Sequence, residues 1–248
     1  MIIIKTKDQI QRMKEAGEIL AACHREIKNL IAPGITTLEI DSFAEQFMRK
    51  NGATPEQKGY NGFPYATCTS LNDVICHGFP GKTVLKNGDI ITVDMVVNLN
   101  GWLADSAWSY AVGEISPQAQ HLMDVTKESL YKGIEKAVIG NRIGDISNTI
   151  QVYAESEGLS VVREFIGHGI GEQMHEAPQV PHYGPPHVGA RLKEGMVITI
   201  EPMLNTGTYR SKMDSDGWTA RTMDGGLSAQ YEHTLAITAD GPLILTAQ

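Results

Sequence analysis

Apolar residues recur every three or four positions along the first fifty residues, a spacing that predicts two helices. In the first, Ile10, Met13, Gly17, Leu20, Ile27 and Ile31 fall on one face, and Thr6 to Gln9 has the T-x-x-Q form of a capping box. Pro33-Gly34 stops it. A second helix is expected from about Thr37 to Lys50, ended by Asn51-Gly52, before a loop rich in Gly, Pro and Tyr over Lys58 to Pro64. Apolar and β-branched runs then predict strands at Ala66–Thr69, Ile90–Val97 and Trp102–Val112. After Pro117 the order starts again: a helix to about Lys136, a break at Gly140, a helix from Asp145 to Glu157, and strands near Val161–Ile166, Met196–Glu201 and Tyr231–Thr238.

The repetition is visible in letters too. Leu85-Lys86-Asn87-Gly88-Asp89-Ile90-Ile91-Thr92-Val93-Asp94 aligns without gaps on Leu192-Lys193-Glu194-Gly195-Met196-Val197-Ile198-Thr199-Ile200-Glu201, and both segments end in a carboxylate. A weaker echo relates Gly34–Ile40 to Gly140–Ile146 at nearly the same offset. Two long units are too few for a solenoid, so the expected closure is a pair of αβ halves facing each other across one sheet. A site at their interface would draw matching ligands from each half.

Composition narrows the class. A chain of 248 residues with 42% hydrophobic content carries enough apolar surface for a core, which excludes intrinsic disorder. Its 21 basic against 29 acidic residues, with no basic run, argue against a phosphate-tracking surface and leave no direct nucleic-acid motif. The apolar start Met1-Ile2-Ile3-Ile4 is closed at once by Lys5, Lys7 and Asp8, too short for a secretory signal, and no later run is long enough for a membrane span. Three cysteines, Cys23, Cys68 and Cys76, form no C-x-x-C pair, which fits a reducing compartment and a cytoplasmic location.

Acidic residues in strand settings carry the candidate chemistry. Asn100-Gly101 signals a tight hairpin; a two-residue loop pairs Val96 with Asp105 and makes Asp94 its diagonal neighbour, while a four-residue loop would set the two aspartates directly opposite. Carboxylates forced together among Val, Ile and Trp repel unless a proton or cation sits between them. Glu201 ends an apolar run stopped by Pro202, and Glu232 enters another in Gln230-Tyr231-Glu232-His233-Thr234. Such oxygen-rich ligation suits one or two divalent cations such as Mn, Co, Fe or Zn, with His168, flanked by Gly167 and Gly169, as the candidate imidazole. Glu172 breaks a dinucleotide G-x-G-x-x-G, Gln179 and Pro178 break a zincin motif begun by His175-Glu176, and no G-x-S-x-G elbow occurs. His24, His121, His182 and His187 read as surface or loop residues, and His233 as turned away from Glu232.

The set Asp94, Asp105, His168, Glu201 and Glu232, with His77 and His175, resembles the metal site of the methionine aminopeptidases, specifically their short bacterial type I form. The resemblance runs from the first helix to Leu245 and implies the pita-bread fold, an α+β arrangement of two pseudo-symmetric halves around a curved, mainly antiparallel sheet. It implies one catalytic domain over residues 1–248, with halves roughly 1–113 and 114–248, and two divalent metal ions drawn from Co, Mn, Fe or Zn. By position, Asp94 would bind one metal, His168 and Glu201 the other, and Asp105 and Glu232 would bridge both. Glu201 would carry the proton, and His77 and His175 would serve the peptide and the oxyanion. Tyr60, Phe63, Cys68, Met174 and Trp218 would line the substrate slot with the two histidines, although Phe63 stands where many members have Tyr, Met174 where an aromatic is common, and Val96 where a Thr often follows the first ligand.

The implied activity is removal of N-terminal methionine from peptides and nascent chains with a small second residue, by a monomer with at most transient ribosome association. Two rivals share the fold. A proline-specific peptidase usually carries an extra N-terminal domain, and a non-catalytic binding protein tends to lose ligands.

Overall fold

In the computed structural model, which describes residues 1–248, helix α1 spans Lys7–Leu30 and its first turn is closed by reciprocal hydrogen bonds between Thr6 and Gln9. Its apolar stripe is fully buried at Met13, Leu20 and Ile27, each contributing about 1.5–3 kcal/mol by leaving water. Helix α2 spans Thr37–Lys50, as the pattern predicts, behind a Thr36–Glu39 capping box. Helix α3 spans Pro117–Glu135 under a Ser116 cap, and helix α4 spans Ile143–Ser156, its first turn held by Asp145 accepting from the Arg142 amide. No helix is long and apolar enough to cross a membrane.

Five strands belong to the first half of the chain: β1 (Thr54–Pro55), β2 (Cys68–Leu71), β3 (Val74–Cys76), β4 (Ile90–Leu99) and β5 (Trp102–Ala111). Ten more follow: β6 (Ser160–Val161), β7 (Gly167–Gly169), β8 (Glu176–Val180), β9 (Val197–Ile200), β10 (Met203–Asn205), β11 (Ser211–Met213), β12 (Ala220–Thr222), β13 (Ser228–Gln230), β14 (His233–Thr238) and β15 (Gly241–Ile244). All strand pairs are antiparallel. Within the expected, mainly antiparallel arrangement the strands form four hydrogen-bonded groups. Along the seam between β5 and residues 228–234, hydroxyls supplement the backbone bond from Glu232 N–H to Ala107 O: Thr234 Oγ1 accepts from Asp105 N–H and donates to Asp105 O, Ser106 Oγ donates to Glu232 O, and Ser109 Oγ accepts from Gln230 N–H. The predicted strand over Tyr231–Thr238 is correspondingly interrupted at Tyr231 and Glu232, and that over Val161–Ile166 is reduced to Ser160–Val161.

Equivalent contacts recur in the two halves. Gly34 N–H donates to Leu85 O and Leu85 N–H to Ile35 O; Gly140 N–H donates to Leu192 O and Leu192 N–H to Asn141 O. Gly88 and Gly195, both at positive φ, turn the chain into β4 and β9 and donate to Val112 O and Ile237 O. A continuous core runs through both halves, from Leu20, Ile40 and Val93 to Ile146, Ile198 and Leu235.

Two histidines expected at the surface lie inside. His24 is fully buried, with Nε2 on Ser106 O (3.1 Å) and Nδ1 on Tyr110 Oη (2.8 Å); burial pulls its pKa down to about 3. His182 is buried against Glu201 N–H. Helical spacing cannot mark His24, because its face becomes interior only when β5 covers it. His121 and His187 are exposed as expected, and His233 turns from the pocket to Thr246 and Trp108.

Two outcomes follow from this packing. A Cβ on Gly17 would lie 2.1 Å from Leu245 O, so Gly17→Ala should cost about 1–3 kcal/mol and lower the thermal midpoint by several degrees. An unchanged midpoint would contradict the docking of the C-terminal segment on α1. His24 is neutral when folded and protonates near pH 6.5 when unfolded, so the stability tied to its neutral form is complete above that pH and declines as pH falls towards 3. In chelator-treated protein, the pH slope of unfolding free energy between pH 6 and 4 should be smaller in His24→Gln by about one proton; equal slopes would exclude this linkage.

Candidate metal centre and its pocket

Sheet register brings the acidic residues together. Asp94 pairs with Ala107 and Val96 with Asp105 across the β4–β5 hairpin, which leaves Asp94 and Asp105 diagonal on one face, as the two-residue turn requires. Ile200 pairs with His233, so the chains carry Glu201 and Glu232 side by side beyond the end of the β9–β14 ladder. Asp94, Asp105, His168, Glu201 and Glu232 all line one cavity of about 360 Å³, together with His77, His175, Tyr60, Phe63, Cys68, Met174 and Trp218. Every residue singled out from the sequence therefore reaches the same cavity.

The carboxylates are in an environment that an isolated protein disfavours. Asp105, Glu201 and Glu232 are buried, and burial, reinforced by mutual repulsion, pushes their pKa values up; Asp94 is pushed up by burial alone. No Lys or Arg lines the cavity. Asp105 Oδ1 and Glu232 Oε1 have no hydrogen-bond partner. Ligating atoms of Asp105, His168 and Glu232 lie within 4.8 Å of one another. Unpartnered buried oxygens beside an imidazole are the donor set a hard or borderline divalent cation satisfies, so the residues fit such an ion.

The imidazole is prepared for that role. His168 Nδ1 lies 2.9 Å from Gly169 O, which fixes the proton on Nδ1 and leaves the Nε2 lone pair towards the cavity. Nε2 is 3.7 Å from both Asp105 Oδ2 and Glu201 Oε1. Burial lowers the His168 pKa to about 4, keeping the ring neutral. Thr199 joins two of these groups, accepting from His168 N–H and donating to Glu201 Oε1, while Gln230 Nε2 donates to Glu201 Oε2.

The other two histidines flank the opening. His175 Nδ1 lies 2.8 Å from Tyr60 Oη, and its ring meets His168 edge-on at 4.4 Å between centroids. His77 sits at φ 57°, a left-handed conformation rare for a side chain with Cβ, and packs edge-on against Phe165 and Trp218. Burial lowers its pKa to about 4. Phe63 is locked among Tyr65, Phe79 and Trp218, with centroids 5.1 to 6.2 Å away. The Cys76 thiol is buried with its pKa pushed well up, which ends any reading of it as a nucleophile.

Sequence reasoning missed Gln57, Asn61, Glu164, Phe165, Ile166, Met203 and Gln230, which also line the cavity. Thr199 carried a signal, since it stands two residues before Glu201 along one apolar run, whereas the break in the strand at Tyr231 and Glu232 removes any such rule for Gln230. Gln57, whose amide lies 3.4 Å from Cys68 Sγ, comes from a loop with no periodicity to reveal it.

Residues 11–239 match the model of metallopeptidase family M24. Methionine aminopeptidase 1 of Bacillus subtilis is 53% identical over 246 residues, covering 99% of both chains. The crystal structure of methionine aminopeptidase from Rickettsia prowazekii superposes with a TM-score of 0.98 at 42% identity over the whole of both chains. Prolidase from Pyrococcus furiosus, at 23% identity and a TM-score of 0.80 over 99% of this chain and 66% of its own, shares the pita-bread fold. With a carboxylate-rich centre, a family match across most of its length and full-length relatives above half identity, the chain belongs to metallopeptidase family M24 and, within it, to the methionine aminopeptidases.

Proposed function

We propose that this chain is a single catalytic domain that removes N-terminal methionine from peptides and newly made proteins whose second residue is small, using two divalent ions. The observation that carries the reading is the convergence of Asp94, Asp105, His168, Glu201 and Glu232 at one wall of an apolar, sulfur-bearing slot. Asp94 would hold one ion and His168 and Glu201 the other, with Asp105 and Glu232 shared between the two. Divalent ions held there supply Lewis-acid activation of a water and of the scissile carbonyl. Co, Mn, Fe and Zn all suit these donors.

The chain's own groups do the rest. Glu201, oriented through both oxygens by Thr199 and Gln230, carries the proton from the attacking water to the departing amine. The Tyr60 hydroxyl donates to His175 Nδ1, which leaves Nε2–H to donate to the developing oxyanion. His77 meets the peptide backbone at the opposite side of the opening. The substrate ammonium is favoured by a lining with five carboxylic residues and no cation, and it stays near Asp94. Phe63, Cys68, Met174 and Trp218 enclose the unbranched thioether side chain, for which a polarizable apolar slot is suited. Three buried free thiols agree with a reducing, cytoplasmic setting, where a monomer would meet chains as they emerge and touch the ribosome only in passing.

Peptides beginning Met-Ala, Met-Gly or Met-Ser should be cleaved, with little turnover when Leu, Lys or Phe follows. Faster hydrolysis of an Ala-Pro peptide would favour a proline-specific enzyme, and no hydrolysis at full metal loading a binding protein. His175→Ala should lower kcat by roughly 10²–10³ with bound metal unchanged. Loss of metal in proportion to activity would show that His175 is a ligand. In His168→Ala, and in alanine variants of Asp105 or Glu232, metal content measured by elemental analysis should fall first; full activity without either bridging carboxylate would sink the dinuclear reading.

A further inference from the structure

The loop over residues 171–175 brings Met174 and His175 to the cavity and enters β8 at Glu176, which pairs with Gly169; inside the loop Gly171 N–H donates to Gln173 O, and Leu103 N–H donates to Gly171 O. Its far side is fixed by a charge pair from the other end of the sequence. Lys5 Nζ donates to Glu176 Oε2, with side chains only 3% and 5% exposed, and Glu176 Oε1 accepts from Gln173 N–H. Lys5 is itself anchored, its N–H donating to Gly195 O at 2.7 Å.

The fit around the pair is close. A Cβ on Gly171 would lie 2.6 Å from Lys5 Cε and 2.7 Å from Glu176 Oε1, and a Cβ on Gly195 would lie 2.6 Å from Lys5 O. Lys5 is thus wedged between the turn that starts β9, the strand leading to Glu201, and the loop that ends in His175. A buried ion pair adds little stability over an apolar pair of the same volume, so the geometry it imposes is the stronger reason for its presence.

We propose that the Lys5–Glu176 pair positions His175, so that the extreme N-terminal segment of the chain sets the rate of the reaction it does not touch. The inference rests on the reading of His175 as the oxyanion donor. A displacement of about 1 Å at such a donor can cost about 10²-fold in rate, whereas Phe63, Cys68 and Trp218, which share the methionine slot with Met174, come from outside this loop.

The test uses the metal-loaded full chain and a Met-Ala-Ser peptide. Lys5→Met and Glu176→Gln combined leave no charge buried alone, so this double variant remains testable where either single substitution fails to fold. The double variant should lose kcat by about 10- to 100-fold with KM within about twofold and bound metal unchanged, and Lys5→Arg should retain more turnover than Lys5→Met. In a His175→Ala background the double substitution should cause no further loss. Unchanged kcat in the double variant, or an equal loss in both backgrounds, would overturn the proposal. Full turnover in His175→Ala alone would instead remove the functional reading on which it rests.

Discussion

Four carboxylates crowded into one buried space are the constraint around which this protein is organised. Asp94 and Asp105 come from one hairpin, Glu201 and Glu232 from its counterpart in the other half, and their mutual repulsion and loss of water cannot be relieved by any Lys or Arg in the cavity. Other features read as consequences. Neutral His168 presents a lone pair where a protonated imidazole would form an ion pair, because Gly169 O holds its other proton. Thr199 and Gln230 occupy both oxygens of Glu201, and Thr234, Ser106 and Ser109 stitch β5 to the opposing segment.

The slot beside the centre is built from different material. Phe63, Tyr65, Phe79 and Trp218 form an edge-to-face cluster, and sulfur from Cys68 and Met174 completes a wall with little hydrogen-bonding demand. The Phe63 ring is held in this packing by its aromatic neighbours. His77, His175, Tyr60 and the carboxylates share the cavity with this wall, as does Gln57 beside Cys68. That combination suits the proposed reaction, in which one apolar side chain is enclosed while charge develops beside it. The likeness to a prolidase at 23% identity is one of fold.

Much of this was legible in the residues. The helix boundaries at Thr37 and Lys50 follow from local signals, a capping box and Asn-Gly, that act within one turn of chain. The aspartate pair follows from a two-residue turn and the period of two along a strand, and the repeat follows from letters that make equivalent turns at Gly88 and Gly195. In each case the physical cause is short-range, so sequence alone determined the hairpins, the helices and the identities of the five candidate ligands. Tertiary structure decided what short-range rules cannot reach. It tied β5 to residues 228–234 through side-chain hydroxyls, buried His24 under β5 and His182 against Glu201, recruited Gln57 from an aperiodic loop, and joined Lys5 to Glu176 across 171 positions of chain. These contacts arise only when surfaces distant in sequence meet and each buried polar group must find a partner there, a requirement that no local pattern of residues records.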